Sequence, residues 1–383
     1  MNALQTSATL SAPESTAPGL RAFEVPPQPL AVARWDWGAV RRVLVVRLRS
    51  IGDTVLSTPS LYALRRFLPD AQIDFLLEDW VAPLLDGNPD ASRILTVRRN
   101  SKTSRLSLVR RLRAARYDVA FNLHGGSTAA LLTRASGAPR RVGYASYRFK
   151  GLHNYAAPPA TDLWRQAKTH SVEQQLGLLG WAGVPVTDRP STRLFVTDEA
   201  AACIARRLDA AGIGASQPYA LFHPAAAFDS KRWDARNFAR VADDLEARGL
   251  AVVAVAAPGE TDVVRAFAAS ARAARVVSFN DLSLPEVTAL AARARLFVGN
   301  DSGIAHIASA VRAPSVVVFG SSNIAHWRPW TDAPAEVVSE DMPCAPCAGY
   351  NCGEFAEAQC IRRITVERVQ AAVSRVLAAK QGL

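Results

Sequence analysis

The stretch Leu296-Phe-Val-Gly-Asn-Asp-Ser-Gly-Ile-Ala-His-Ile-Ala-Ser-Ala310 decides how this chain is read. Leu296–Val298 is an apolar run with the length of a buried strand. Gly299, Asn300 and Asp301 break it, and Ser302-Gly303 leads into small and apolar residues at helical spacing. A strand that turns directly into a helix presents unpaired backbone N–H groups at the positive end of the helix dipole, which is a seat for phosphate. Asp301 is out of place beside a phosphate but suited to sugar hydroxyls, so the stretch suggests a nucleotide-sugar. The same residues also make an ordinary helix cap, and spacing alone does not choose between the two.

Working outward, strand-then-helix units recur. Arg42–Arg47 is a first strand, followed by the loop Leu48-Arg-Ser-Ile-Gly-Asp53 and a helix through Phe67 that Pro59 kinks. Gln72–Leu77, Arg93–Val97 and Asp118–Leu123 read as further strands, and His124-Gly-Gly-Ser127 is another glycine-bearing turn. A long helix over Asp162–Trp181 ends in the Pro-punctuated segment Gly183–Pro190, where the domain junction is expected. Beyond it lie strands at Tyr219–Phe222, Ala251–Ala256, the Phe297 run and Ser315–Phe319. A capping box is expected at Ser283-Leu-Pro-Glu286, and a last amphipathic helix over Thr365–Lys380. This alternation implies α/β domains with parallel sheets covered on both faces and ligands at the carboxyl ends of the strands.

A chain of 383 residues suits two domains rather than one core. The expected division is a disordered extension over residues 1–38, a first domain over 39–190, a second over 191–363 and a final helix over 364–383. The first residues lack a basic start followed by an apolar core, so they do not read as a secretion signal, and no apolar run reaches the ~18–20 residues that span a bilayer. Charge is unevenly placed: residues 40–200 hold 24 Lys/Arg against 13 Asp/Glu, whereas residues 201–383 hold 19 against 18. Such a basic half points to a polyanionic partner, or to a solvated arginine-rich face. Nucleic acid is disfavoured, because the arginines lack interleaved aromatics and no recognition motif accompanies them.

Four places carry reactive groups. Asp53, after Gly52, is either a helix N-cap or a general base facing the cleft. Lys231, in His223-Pro-Ala-Ala-Ala-Phe-Asp-Ser-Lys-Arg-Trp233, can neutralise a diphosphate. Glu260 follows a strand at a place where carboxylates bind ribose. The fourth place is the opening stretch, in which His306 either touches phosphate, orients Asp301 or packs in the core. Trp327 and Trp330 either line a base pocket or anchor a loop, and His170 and Trp181 are expected to pack. Cys344, Cys347, Cys352 and Cys360 fall within 17 residues and could form a structural metal site or remain reduced thiols.

Arg47-Leu-Arg-Ser-Ile-Gly-Asp-Thr-Val-Leu-Ser-Thr-Pro59, His223-Pro…Lys231-Arg-Trp233 and Val298-Gly-Asn-Asp-Ser-Gly-Ile-Ala-His306 together resemble glycosyltransferase family 9, which contains the ADP-heptose:lipopolysaccharide heptosyltransferases. The resemblance covers roughly residues 41–380. It implies a GT-B architecture, with two Rossmann-like domains facing across a cleft and a C-terminal helix crossing back to the first domain. It also implies an inverting transfer that needs no cofactor or catalytic metal, and this chain contains no Asp-x-Asp pair. By resemblance Asp53 is the catalytic base, and Lys231, Glu260, Asp301, Ser302, Gly303 and His306 bind the donor, ADP-heptose. Arg65, Arg66, His124 and Arg141 of the basic half are expected to meet the acceptor, a phosphorylated Kdo-lipid A or lipopolysaccharide core at the cytoplasmic face of the inner membrane. One departure stands out: Ala225, Ala226 and Ala227 occupy positions where the family often has Gly, Ser or Thr. Another nucleotide-sugar or acceptor glycan is therefore the alternative, and an epimerase of similar architecture a more distant one.

Overall fold

The computed structural model describes residues 26–347 and 351–379. Two six-stranded parallel sheets make up the chain. The first contains β1 (Arg42–Val46), β2 (Gln72–Glu78), β3 (Arg93–Val97), β4 (Val119–Asn122), β5 (Arg140–Tyr144) and β6 (Tyr155–Ala157), in the order β3-β2-β1-β4-β5-β6. The second contains β7 (Tyr219–His223), β8 (Ala251–Val255), β9 (Val276–Phe279), β10 (Leu296–Asn300), β11 (Ser315–Phe319) and β12 (Ala335–Ser339), in the order β12-β11-β10-β7-β8-β9. Counted from each sheet's own first strand, both follow the Rossmann order, so each has one point where the winding reverses: β1/β4 in the first sheet and β7/β10 in the second.

Period-two alternation sends successive side chains to opposite faces, and both faces are covered. Val43 and Val45 join one apolar cluster while Leu44 and Val46 join another. Leu221 and Phe297 face the first of these clusters, whereas Phe222 and Val298 face a third beneath the final helix. The first cluster runs unbroken from Val43 through Leu194 to Ile307, so one apolar core joins the two sheets.

Several expectations need correction. Residues 28–38 are ordered, not part of a disordered extension; residues 1–25 lie outside the described residues. Leu30 and Ala31 N–H donate to Gly180 O at 3.0 and 3.2 Å, and the buried Trp37 donates through Nε1 to Ala182 O at 3.0 Å. The strap lies close because Gly180 and Gly183 have no side chains: a Cβ on either would come within 2.7 Å of Leu30 or Ala33. Pro59 divides the expected first helix into Ile51–Val55 and Thr58–Phe67, since it is accepted in a first turn and not further along. The long helix is likewise two, Ala160–Trp164 and Ser171–Ala182, parted at the left-handed Arg165 and restarted by a capping box between His170 and Glu173.

The final helix, Val366–Ala379, does not cross back to the first domain among the described residues. Val369, Val373 and Val376 pack in the cluster of the second sheet, and Arg375 and Arg368 bond Glu336 and Ser339 of β12. Its apolar stripe matches that outer sheet face, which would otherwise be open. No described helix is long and apolar enough to cross a membrane.

Candidate functional site

The strand ends at the two reversal points face one another. From β1 the chain runs through Arg47 into the helix Ile51–Val55, and from β10 through Asp301 and Ser302 into the helix Gly303–Ala310. These helices meet across the domain boundary through small residues: a Cβ on Gly303 would lie 2.9 Å from Ile51 Cβ. Beside the contact is a cavity of about 740 Å³ lined by groups from both domains, among them Asp53 from the first and His223, Lys231, Glu260, Asp301 and Ser302 from the second. Gly303 and His306 also line it.

Asp53 is not the N-cap; Ser50 is. As third residue of the helix, Asp53 reaches back to accept the Ser50 N–H and Oγ–H, both at 3.1 Å, in a capping box. Its other oxygen pairs with Arg47, whose guanidinium also donates to Leu123 O. Burial pushes the Asp53 carboxyl up, but the Arg47 cation and the Ser50 donors overrule it and hold the carboxyl below its ordinary value.

On the facing side, Lys231 Nζ lies 2.8 Å from Asp301 Oδ2, and the Ser322 hydroxyl donates to the same oxygen. The loop carrying Lys231 is fixed by the buried Asn300, which donates to Pro224 O at 2.8 Å and accepts the Trp233 N–H at 3.1 Å. Glu260 closes the 3-10 turn Pro258–Glu260 after β8 and accepts the Ala257 N–H at 3.0 Å. The neighbouring His223 ring is the main influence holding its carboxyl low; partial burial opposes this. His306 is buried against Gly52. Burial lowers its pKa against the pull of Asp301 and Asp53, and its Nδ1 has no partner among the described residues.

A smaller cavity of about 270 Å³ opens on the first-domain side, lined by Arg47, His124, Tyr147, Gln174, His326 and Trp327, among others. Trp327 borders both cavities. Trp330 does not; it stacks on His170 at 4.6 Å and donates to Pro190 O at 3.0 Å, anchoring its loop. His124 is held neutral at ordinary pH, its pKa brought down to about 4 by burial and then by Arg47.

Arg65, Arg66 and Arg141 line neither cavity. Arg65 caps backbone carbonyls at Pro69 and Ala71, both at 2.8 Å, and Arg66 grips Asp188 with two bonds of 2.6 and 3.0 Å. Arg141 donates to Ala138 O at 2.7 Å and to Leu152 O at 3.2 Å. The reason is topological: Arg65 and Arg66 lie in the last turn of a helix that runs away from the carboxyl edge, and Arg141 is the second residue of β5, at the opposite edge.

The four clustered cysteines are free thiols. The other three, after burial, push the Cys360 thiol up. Among the described residues, however, no three potential ligands are arranged to hold a metal ion. The sequence reading assigned no role to Arg47 or His223, although both stand in quoted motifs at strand ends. Ser322 and His326 carried no sequence signal at all.

The model of glycosyltransferase family 9 (heptosyltransferase) matches residues 105–356. The chain belongs to this family. The first motif, with Asp53, lies ahead of the matched residues. Lipopolysaccharide heptosyltransferase 3 of Escherichia coli K12 is 32% identical over 225 residues, which is 56% of this chain and 63% of that protein, so less than two thirds of the relative's length is matched. Lipopolysaccharide heptosyltransferase 2 of the same strain is 24% identical over 225 residues, 55% of this chain and 62% of the relative. Among solved structures, E. coli ADP-heptose lps heptosyltransferase II superposes with a TM-score of 0.74 at 23% identity, over 89% of this chain and 99% of that one. The glycosyl transferase family 9 protein of Veillonella parvula gives 0.76 at 22%, over 88% and 97%. These likenesses establish the two-domain GT-B fold of a family 9 chain.

Proposed function

We propose that this chain is an inverting heptosyltransferase that moves heptose from ADP-heptose to a hydroxyl of the lipopolysaccharide inner core. The observation that carries this reading is one cavity that brings Asp53 of the first domain opposite Lys231, Glu260 and Asp301 of the second. Its volume lies in the ordinary range for a small-molecule site. The domain of residues 39–190 takes the acceptor, and that of residues 191–363 takes the donor.

The reaction needs three things from these residues. Asp53 accepts the proton of the acceptor hydroxyl, whose oxygen forms the new bond to the anomeric carbon from the face opposite ADP. The bond from that carbon to the phosphate oxygen breaks, and its electron pair leaves with ADP. Lys231 and the N–H groups of Ser302 and Gly303 hold the charge that grows there, and Asp301 holds the sugar hydroxyls. A base kept ionised by Arg47 is weak, so proton transfer accompanies bond formation rather than preceding it. His124, neutral and half-buried in the smaller cavity, hydrogen-bonds the acceptor. The residues present supply each of these functions without a metal ion.

The acceptor is a phosphorylated lipid, and the enzyme works at the cytoplasmic face of the membrane without spanning it. The exposed Trp80 and Phe149 follow β2 and β5 on the carboxyl edge of the first sheet, beside Arg98, Arg99, Arg148 and Lys150, and suit contact with an anionic bilayer. The rival reading is a family 9 transferase with another sugar nucleotide, raised because Ala226 and Ala227 line the donor cavity and offer no hydroxyl to it. A thermal-shift series with ADP-, UDP-, GDP- and CMP-sugars distinguishes the two. A clear rise with ADP-heptose alone is expected; a rise with another sugar nucleotide instead overturns the donor assignment.

A further inference from the structure

His223 is the last residue of β7, and its ring is 5% exposed inside the donor cavity. It pairs in register with Gly299, where a Cβ would come 3.0 Å from His223 O, so the missing side chain lets the two backbones lie close. Its Nδ1 is 3.0 Å from Ser302 Oγ, and its Nε2 faces Glu260 Oε2 at 3.6 Å. The second distance is just beyond hydrogen-bond range, but it fixes the sign of the contact. A lone pair on Nε2 pointed at a carboxylate is repelled, whereas an N–H is attracted. With the proton on Nε2, Nδ1 accepts and the Ser302 hydroxyl donates.

We propose that His223 is a positioning residue that sets the ribose and diphosphate halves of the donor site as one unit. Its Nε2–H steers the Glu260 carboxylate toward the ribose diol of a nucleoside diphosphate, and its Nδ1 takes the Ser302 proton. The diphosphate is then left to the backbone N–H groups of Ser302 and Gly303 and to Lys231. This inference rests on the nucleotide reading above, and it adds a residue that acts on the ligand through Glu260 and Ser302.

Calorimetric titration of the full chain with ADP and with 2′-deoxy-ADP tests it. The wild-type protein is expected to prefer ADP by about tenfold, the worth of one hydrogen bond to a charged group. His223→Asn places an amide near the Nδ1 position and nothing toward Glu260, so the preference should fall to within about twofold. His223→Gln reaches the Nε2 position and should keep it. Ser302→Ala removes only the Nδ1 partner, so it should keep the preference too. Full preference in His223→Asn, or its loss in Ser302→Ala, overturns the inference. A wild-type protein that does not distinguish the two nucleotides overturns the ribose role of Glu260 instead. Melting curves of all three variants accompany the titrations, and should one substitution at His223 not fold, the other and Ser302→Ala still decide.

Discussion

Gly52 of the first domain and His306 of the second touch so closely that a Cβ on Gly52 would lie 2.7 Å from His306 Cδ2. The helix that carries Asp53 and the helix that Asp301 leads into, one from each domain, are held at this separation by a glycine against an imidazole. Gly52→Ala should therefore part them or tilt the ring, at a cost of about 1–3 kcal/mol for overpacking, with a loss of turnover. His306→Ala makes room, so the double variant should recover part of that stability. A double-mutant cycle by urea denaturation measures the coupling; additive effects would mean that the contact is not what sets the spacing.

Asp53→Asn keeps an acceptor for Ser50 but removes the proton acceptor. Turnover should fall about 10²–10⁴-fold while calorimetric donor affinity stays near that of the wild type. Because the carboxyl is held below its ordinary value, the wild-type acid limb of kcat/KM should lie below the range of a free aspartate. Arg47→Gln should move that limb upward, since burial would then act on Asp53 without the opposing cation. Wild-type turnover in Asp53→Asn would return this residue to a purely structural cap.

Asp301 pairs with Lys231 at 2.8 Å, so its removal should act unequally on two ligands. Asp301→Ala should weaken binding of the intact sugar nucleotide and leave free ADP bound as well or better, because Lys231 loses its competing partner. Equal losses for both ligands in calorimetry would remove the sugar-binding role. Gly303→Val does not isolate phosphate binding: an added side chain meets Ile51 first, so it should lower the melting temperature as well as the affinity.

His170 caps its helix through Nδ1 and bonds Arg328 O through Nε2 at 2.9 Å. Its pKa is brought down to about 3 by burial, against the pull of that carbonyl. The unfolded chain therefore binds the proton and the folded chain does not between about pH 3 and the ordinary histidine value. Stability must rise with pH across that window and fall on acidification. Asn accepts the same cap bond, so His170→Asn should flatten the dependence of Tm on pH between 4 and 7. An unchanged slope would assign the effect to other groups, His124 first among them.

Trp80, Leu106 and Phe149 are exposed large apolar side chains of the first domain. If they meet a bilayer, Trp80→Ala with Phe149→Ala should reduce cosedimentation of the full chain with phosphatidylglycerol vesicles, and salt should reduce it further. Leu131→Ala, exposed on the helix Ser127–Ala135, serves as the control. Binding unaffected by the double substitution would leave only charge as the attraction. An isolated first domain would be a poor substitute, because the apolar core continues from Val43 to Ile307.

The sequence by itself determined the two α/β units, most of their central strands and the strand-to-helix turns that hold Asp53, Lys231, Glu260 and Asp301. Those features are local: an apolar run stopped by Gly, Asn or Asp and followed by helical spacing is legible wherever it occurs. It did not reveal β5, β6, β9 or β12: β6, β9 and β12 are edge strands of 3, 4 and 5 residues, and β5, next to an edge, opens on Arg140 and Arg141. That Arg65 and Arg66 line neither cavity has a different reason. Charge counts a residue without saying which end of a helix it occupies, and Arg65 and Arg66 lie in the last turn of a helix, at the edge away from the cleft. Only the tertiary structure decided that Gly52 faces His306, that His223 lies between Ser302 and Glu260, and that the last helix covers the second sheet. Each is a contact between segments dozens to hundreds of residues apart, fixed by sheet order and by which apolar faces remain to be covered, and no local pattern encodes it.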